Sequence, residues 1–139
     1  MQSCNFCAIV AGEAPAAIVA ETDELIAFLD VRPVSEGHTL VVPKRHAARL
    51  ADLPAEDGTR MFALGHRLAR AARAGELGAD GVNLVVNDGR EAFQTVDHVH
   101  LHVIPRFAGD KRALLGRFLR RGPRTSDGAA LLLRAALPD

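Results

Sequence analysis

The 139-residue sequence contains no tryptophan and no tyrosine, and its six phenylalanines bring the aromatic content to only 4%. Its two cysteines, Cys4 and Cys7, are too few and too close together for the disulfide framework of a small secreted domain. Excess charge of either sign is missing as well. Seventeen basic residues balance seventeen acidic ones, which argues against a general nucleic-acid or membrane-surface binder. No apolar run approaches the roughly 18 residues that a membrane span needs. The Met1-Gln2-Ser3-Cys4 start has neither the basic patch nor the apolar stretch of a secretory signal. The expectation is a cytoplasmic, reduced protein with no membrane and no nucleic-acid partner. What is present, a 48% hydrophobic fraction, suffices for a single domain over 1–139 with a core of its own.

Periodicity and punctuation predict the elements. Cys4–Ala11 reads as a short helical turn, ended by the Gly12–Pro15 stretch. Ile18–Glu21 and Leu25–Asp30 read as a hairpin, and Thr39–Val42 as a strand stopped by Pro43. Pro54, with Glu56 and Asp57 in the first turn, opens a helix. Met61, Leu64, Leu68 and Ala71 carry its apolar stripe as far as Gly75. Val82–Val86 and Val96–Ile104 read as two further strands, separated by the turn signal Asn87-Asp88-Gly89. Leu114, Leu115, Phe118 and Leu119 line a short helix, and Ser126 caps a last one carrying Leu132, Leu133 and Ala136. Strands that do not alternate regularly with helices imply an α+β domain rather than a doubly wound sheet. A local basic excess lies over Arg106–Arg124, with seven basic residues against Asp110. It is either a solvated helix face or a rim that attracts an anionic substrate.

His98-Val99-His100-Leu101-His102 is the most informative stretch. On a strand, alternation puts the three imidazoles on one face and Val99, Leu101 and Val103 on the other, in a core. Two chemistries suit such a set. Three imidazoles can hold a catalytic metal, or one can be a nucleophile that its neighbours position. The surroundings favour the nucleophile: the turn at Asn87 and Gly89, with Gln94 and Thr95, offers neutral donors suited to phosphate oxygens. Cys4-Asn5-Phe6-Cys7 has three readings, namely half of a zinc site, a redox pair, or plain buried thiols.

Three ordered blocks of the sequence resemble the histidine-triad family. They are His98–Ile104, the run Gly37-His38-Thr39-Leu40-Val41-Val42-Pro43-Lys44-Arg45-His46, and the segment from Asn87-Asp88-Gly89 through Gln94-Thr95-Val96. The resemblance covers a core of about 4–110 and leaves 111–139 as a variable segment. It implies an α+β meander on a five-stranded antiparallel sheet, with one long helix, a C-terminal helical segment and a homodimer formed through the long helix and the sheet. It implies hydrolysis at the α-phosphorus of phosphoramidates, acyl adenylates or dinucleoside polyphosphates, with a purine nucleotide as substrate and no catalytic cofactor. His100 is then the nucleophile that forms a nucleotidyl-histidine, His102 a donor to a phosphate oxygen, and Thr95 a hydroxyl at the phosphate or leaving group. Phe28, Asp30, Asn87, Gly89, Gln94, Thr95 and His102 form the nucleotide-binding set, with Asp30 holding the ribose hydroxyls. By the same resemblance, Cys4, Cys7, His46 and His98 hold a structural zinc. The alternatives are transfer or phosphorolysis, and a nucleotide-binding interaction module with incidental catalysis. Phe93 departs from the glycine that many members carry. The resemblance gives no role to His38, which reads as structural, or to His66, inside the long helix.

Overall fold

The structure, a computed structural model, describes residues 4–112, 115 and 127–137. Helix α1 spans Asn5–Val10, and the strands are β1 (Ile18–Glu21), β2 (Leu25–Leu29), β3 (Thr39–Pro43), β4 (Gly81–Val86) and β5 (Leu101–Arg106). Helix α2 (Ala55–Ala74) lies between β3 and β4, and α3 (Asp127–Ala136) follows β5. The strands form one antiparallel sheet in the order β1-β2-β3-β5-β4. Ser126 lies outside the described residues, and so does nearly all of the expected helix around Leu114–Leu119. Among the described residues, no helix is long and apolar enough to cross a membrane.

Each sheet face has its own cover because side chains alternate along each strand. Leu25, Ala27 and Leu29 of β2, Val41 of β3, and Leu101 and Val103 of β5 share one face and pack with Met61, Leu64 and Leu68 of α2 and Leu133 of α3. Gly65 permits the close approach of α2: a Cβ there would meet Leu101 Cδ2 at 2.5 Å and Leu84 Cδ2 at 3.2 Å. The opposite face carries Ile26, Phe28, Leu40 and Val42, and Phe6 of α1 packs on them. Leu40 pairs with Phe28 on one side and His102 on the other, so the histidine strand opens onto the α1 face.

One strand expectation fails in a way that matters. The predicted strand over Val96–Ile104 begins only at Leu101 and runs through Pro105 to Arg106. The segment before it bonds elsewhere: Val99 N–H donates to the Ala47 carbonyl (2.8 Å), and His98 N–H turns back to Val96 (2.8 Å). The three histidines therefore do not project in parallel from one strand. Only His102 is in β5, and His98 and His100 sit on the stretch leading into it.

Candidate functional site

A cleft of about 600 Å³ lies on the α1 face. Phe6 and Ile9 form one wall, Phe28, Asp30 and Val31 another, and Thr95, His100 and His102 reach the same space. The Phe6 ring stands edge-on to Phe28 (centroids 5.5 Å apart) and to His100 (5.1 Å). The wall is apolar, while the polar groups gather at the histidine end. Asp30, just past β2, accepts the Arg32 backbone N–H on Oδ1 (2.9 Å).

The two histidines of the cleft have their tautomers fixed from opposite directions. His100 donates Nδ1–H to the His98 carbonyl (2.7 Å), so the ring carries its lone pair on Nε2. His102 is set by a donor chain. The Val34 backbone N–H donates to His38 Nδ1 (3.0 Å), which places the His38 proton on Nε2. That proton faces His102 Nδ1 at 2.9 Å, which in turn places the His102 proton on its own Nε2. The His100 and His102 rings are 4.8 Å apart. A lone pair and an N–H donor thus lie side by side at the end of the cleft. Asp30 Oδ2 lies 3.7 Å from His38 Nε2, too long for a hydrogen bond.

The turn after β4 is built differently from the expectation that its donors face a ligand. Gly89 N–H donates to Gln94 Oε1 (2.7 Å). The buried Gln94 amide donates to the Ala48 and Val96 carbonyls (2.8 and 2.9 Å). These groups staple the loop to the segment after β3. Gly89 has φ 97° and ψ 158°, a backbone region open essentially only to glycine. Asn87, Gly89 and Gln94 do not line the cleft, whereas Phe28, Asp30, Thr95, His100 and His102 do. Phe93 adopts a left-handed φ of 67° and is 83% exposed. A second depression, around Asp80 and Arg106–Arg112, has Arg106 paired with Asp110 and contains no histidine.

Cys4, Cys7, His46 and His98 converge at the end of α1, with their ligand atoms within 4.8 Å of one another. The separations are 3.4 Å for Cys4 Sγ to His98 Nδ1, 3.3 Å for Cys7 Sγ to His46 Nδ1, and 3.2 Å between the two Nδ1 atoms. A tetrahedral ion with bonds of about 2.0–2.3 Å sets its ligands about 3.3–3.8 Å apart, so the donor set and spacing fit zinc. His98 is fully buried and its other nitrogen faces the Pro43 carbonyl (2.8 Å), the outer-shell contact that orients a metal-binding imidazole. Burial pushes the His98 imidazole below its ordinary pKa, which keeps Nδ1 deprotonated, and the nearby His46 and His100 add to this.

The HIT domain matches residues 11–109. The chain belongs to the HIT family. An uncharacterised HIT-like protein of Mycobacterium tuberculosis is 53% identical over 135 residues, covering 96% of this chain and 92% of the relative. The adenosine 5'-monophosphoramidase hnt1 of Schizosaccharomyces pombe is 43% identical over 104 residues, 75% of this chain and 74% of the relative. A crystal structure of a zinc-bound histidine triad family protein from Mycobacterium smegmatis superposes with a TM-score of 0.85 at 48% identity, covering 96% and 92% of the two chains. Within this HIT fold, one of the two histidines that sequence reasoning left without a role, His38, stands at the site. Its place beside His102 follows from the β3–β5 register, which sets Leu40 opposite His102 and so brings the end of the Gly37-His38 turn alongside. The spacing of His38 two residues before Leu40, on the same strand face, was the available signal. His66 lies exposed on α2, away from the site.

Proposed function

We propose that this HIT protein is a nucleotide hydrolase that cleaves nucleoside monophosphate derivatives at the α-phosphorus through a covalent intermediate on His100. The observation that carries this reading is the pair of complementary tautomers at the end of the cleft. His100 Nε2 attacks phosphorus and the bond to the leaving nitrogen or oxygen breaks as that atom takes up a proton. The positive charge left on the imidazole is stabilised through Nδ1–H by the His98 carbonyl. His102 Nε2–H donates to a non-bridging oxygen, whose charge grows in the transition state. Water then adds to phosphorus and gives up a proton to solvent, balancing the one that the leaving atom took up, the P–N bond to His100 breaks, and the nucleoside monophosphate leaves.

The nucleoside lies along the apolar wall of Phe6, Ile9 and Phe28, and Asp30 accepts from the ribose hydroxyls, a task suited to an acceptor-only carboxylate. Thr95, on the opposite lip, faces the phosphate or the leaving group. The monophosphoramidase relatives support a phosphoramidate as substrate. In this reading Asn87, Gly89 and Gln94 act through the loop that presents Thr95.

Cys4, Cys7, His46 and His98 would hold a structural zinc, which joins α1 to the histidine segment and keeps no position open for substrate. The zinc-bound Mycobacterium smegmatis relative supports this. One domain spanning 1–139 and a homodimer complete the reading. The dimer is supported by a β4 edge that no other strand of the described residues pairs, with Val85 and Val86 more than a third exposed, and by Phe62 on α2, which is 61% exposed.

The test is to incubate the protein with adenosine phosphoramidate, quench in acid-free denaturant, and search peptides for adenylate mass. The expected result is adenylate on His100, with turnover abolished in His100→Ala. Turnover by His100→Ala at the wild-type rate would overturn the mechanism.

A further inference from the structure

The metal cluster and the cleft share parts. Cys4 and Cys7 bracket Phe6 in sequence, and Phe6 touches the rings of His98 (centroids 5.8 Å), His100 (5.1 Å) and Phe28 (5.5 Å). Asn5, Phe6 and Ile9 of the same short helix line the cleft. The helix is only six residues long, well below the length that is stable by itself, so its position depends on what holds its ends. His98 adds a second link. Its Nδ1 belongs to the cluster while its carbonyl receives the His100 proton, so one residue serves both sites.

The two sulfurs are also placed to react with each other. Cys4 caps α1 and Cys7 lies in its first turn, with Cys7 N–H directed at Cys4 Sγ (3.4 Å). Both thiols are partly exposed, and their sulfurs are within 4.8 Å. A disulfide needs the sulfurs about 2.05 Å apart and the Cα atoms about 4.4–6.8 Å apart, and residues three apart at a helix start, as Cys4 and Cys7 are, lie about one helical turn from each other. Drawing the sulfurs together takes them away from His46 and His98.

We propose that Cys4 and Cys7 form a hydroperoxide-sensitive thiol pair whose oxidation ejects the metal and slackens the α1 wall of the nucleotide cleft. The proposal rests on the metal reading given above. One metal-bound thiolate attacks the peroxide, the O–O bond breaks, and a sulfenic acid and hydroxide form. The second thiolate attacks that sulfur, forms the S–S bond and expels a second hydroxide. Two electrons pass from the sulfurs to the peroxide, two protons from the buffer acid turn the hydroxides into water, and the metal dication is released. A dithiol reductant reverses the sulfur chemistry, and added metal restores the cluster. The pair thereby ties substrate binding to the peroxide level around the protein.

The experiment starts from reduced, zinc-loaded full-length protein exposed to stepwise hydrogen peroxide. Alkylatable thiols are counted by intact mass, released zinc by a chromogenic chelator, α1 mobility by hydrogen exchange of residues 5–10, and AMP affinity by calorimetry. The expected result is parallel loss of both thiols and release of one zinc, with exchange in α1 rising about tenfold as its anchoring is lost. AMP binding weakens about fivefold, a modest coupling between neighbouring sites, and dithiothreitol with zinc restores every reading. Both thiols still alkylatable with zinc retained, or a disulfide formed with α1 exchange unchanged, overturns the proposal. Reduced protein that holds no zinc instead overturns the metal reading, and reduced protein that ignores AMP overturns the nucleotide reading. In both of those cases the thiol count and the exchange of residues 5–10 still decide whether the disulfide loosens α1.

Discussion

Replacing His38 separates positioning from catalysis, because its two ring nitrogens do different work. His38 Nδ1 accepts the N–H of the buried Val34, and Nε2–H directs the tautomer of His102. His38→Leu removes both. Leaving the Val34 N–H buried without an acceptor costs about 1–3 kcal/mol, equivalent to roughly 4–12 °C in Tm for a domain of this size. Losing a positioned transition-state donor outright costs about 10²–10³-fold. His102 remains and only its proton is unset, so the expected fall in kcat is about 10- to 100-fold with KM little changed. His38→Gln places an amide N–H where Nε2 was but nothing at the Nδ1 position. It should restore kcat to within about fivefold of wild type while keeping most of the stability loss, since only the His102 contact is regained. Steady-state hydrolysis of adenosine phosphoramidate and thermal melts of the three proteins give the readings. Equal kcat for His38→Leu and wild type, or equal impairment of the Leu and Gln variants, refutes the donor chain.

Gly65→Ala should destabilise despite the better helix propensity of alanine. The gain of about 1 kcal/mol is outweighed by about 1–3 kcal/mol of overpacking, because the new methyl meets Leu101 at 2.5 Å and Leu84 at 3.2 Å. Denaturant titration checks this, and a rise in midpoint would refute the close α2–β5 packing. Metal removal should lower Tm and make stability acid-sensitive. Burial holds His98 below its ordinary value, so the unfolded chain binds a proton that the folded chain resists. In the chelated protein this contribution is full above about pH 6.5 and declines as pH falls below it, by at most about 1.4 kcal/mol per unit. Melting the chelated protein between neutral and mildly acidic pH tests the sign, and a Tm that rises on acidification refutes it.

Most of the fold was legible because its signals are local. The hairpin of β1 and β2, the stripe of α2 and the arrest after β4 all follow from periodicity and turn residues. The four candidate metal ligands were reached through the resemblance, and the structure brings them together. What sequence could not supply was decided by pairing between distant segments. Alternation in His98–His102 suggested a long strand, but the Val99 N–H goes to Ala47, a partner invisible without the fold. Gln94 read as a ligand contact because its amide is apt for phosphate, yet one bond to the distant Ala48 carbonyl and two within its own segment, with Gly89 and Val96, commit that amide to the loop. His38 read as structural because its task depends on the register that sets β3 against β5.

The same reasoning explains why two histidines of one alternating motif can do opposite jobs. In sequence, His100 and His102 are equivalent: each is flanked by apolar residues and each is two positions from another histidine. The backbone breaks the symmetry. His100 sits on the irregular segment where the His98 carbonyl turns toward its Nδ1, an acceptor that a regular ladder would have used. That carbonyl is itself held still, because the His98 ring is anchored at Nδ1 in the cluster and at Nε2 by Pro43. His102 lies in β5 proper, where the ladder occupies its backbone and its ring is met instead by His38 from the neighbouring strand end. An acceptor against one ring and a donor against the other leave a lone pair and a proton on adjacent Nε2 atoms. Attack on phosphorus and stabilisation of its oxygens need those two states at once. The departure of His98 and His100 from strand geometry is therefore what leaves one imidazole with a lone pair on Nε2 and its neighbour with a proton there, the two states the proposed nucleophile and donor require.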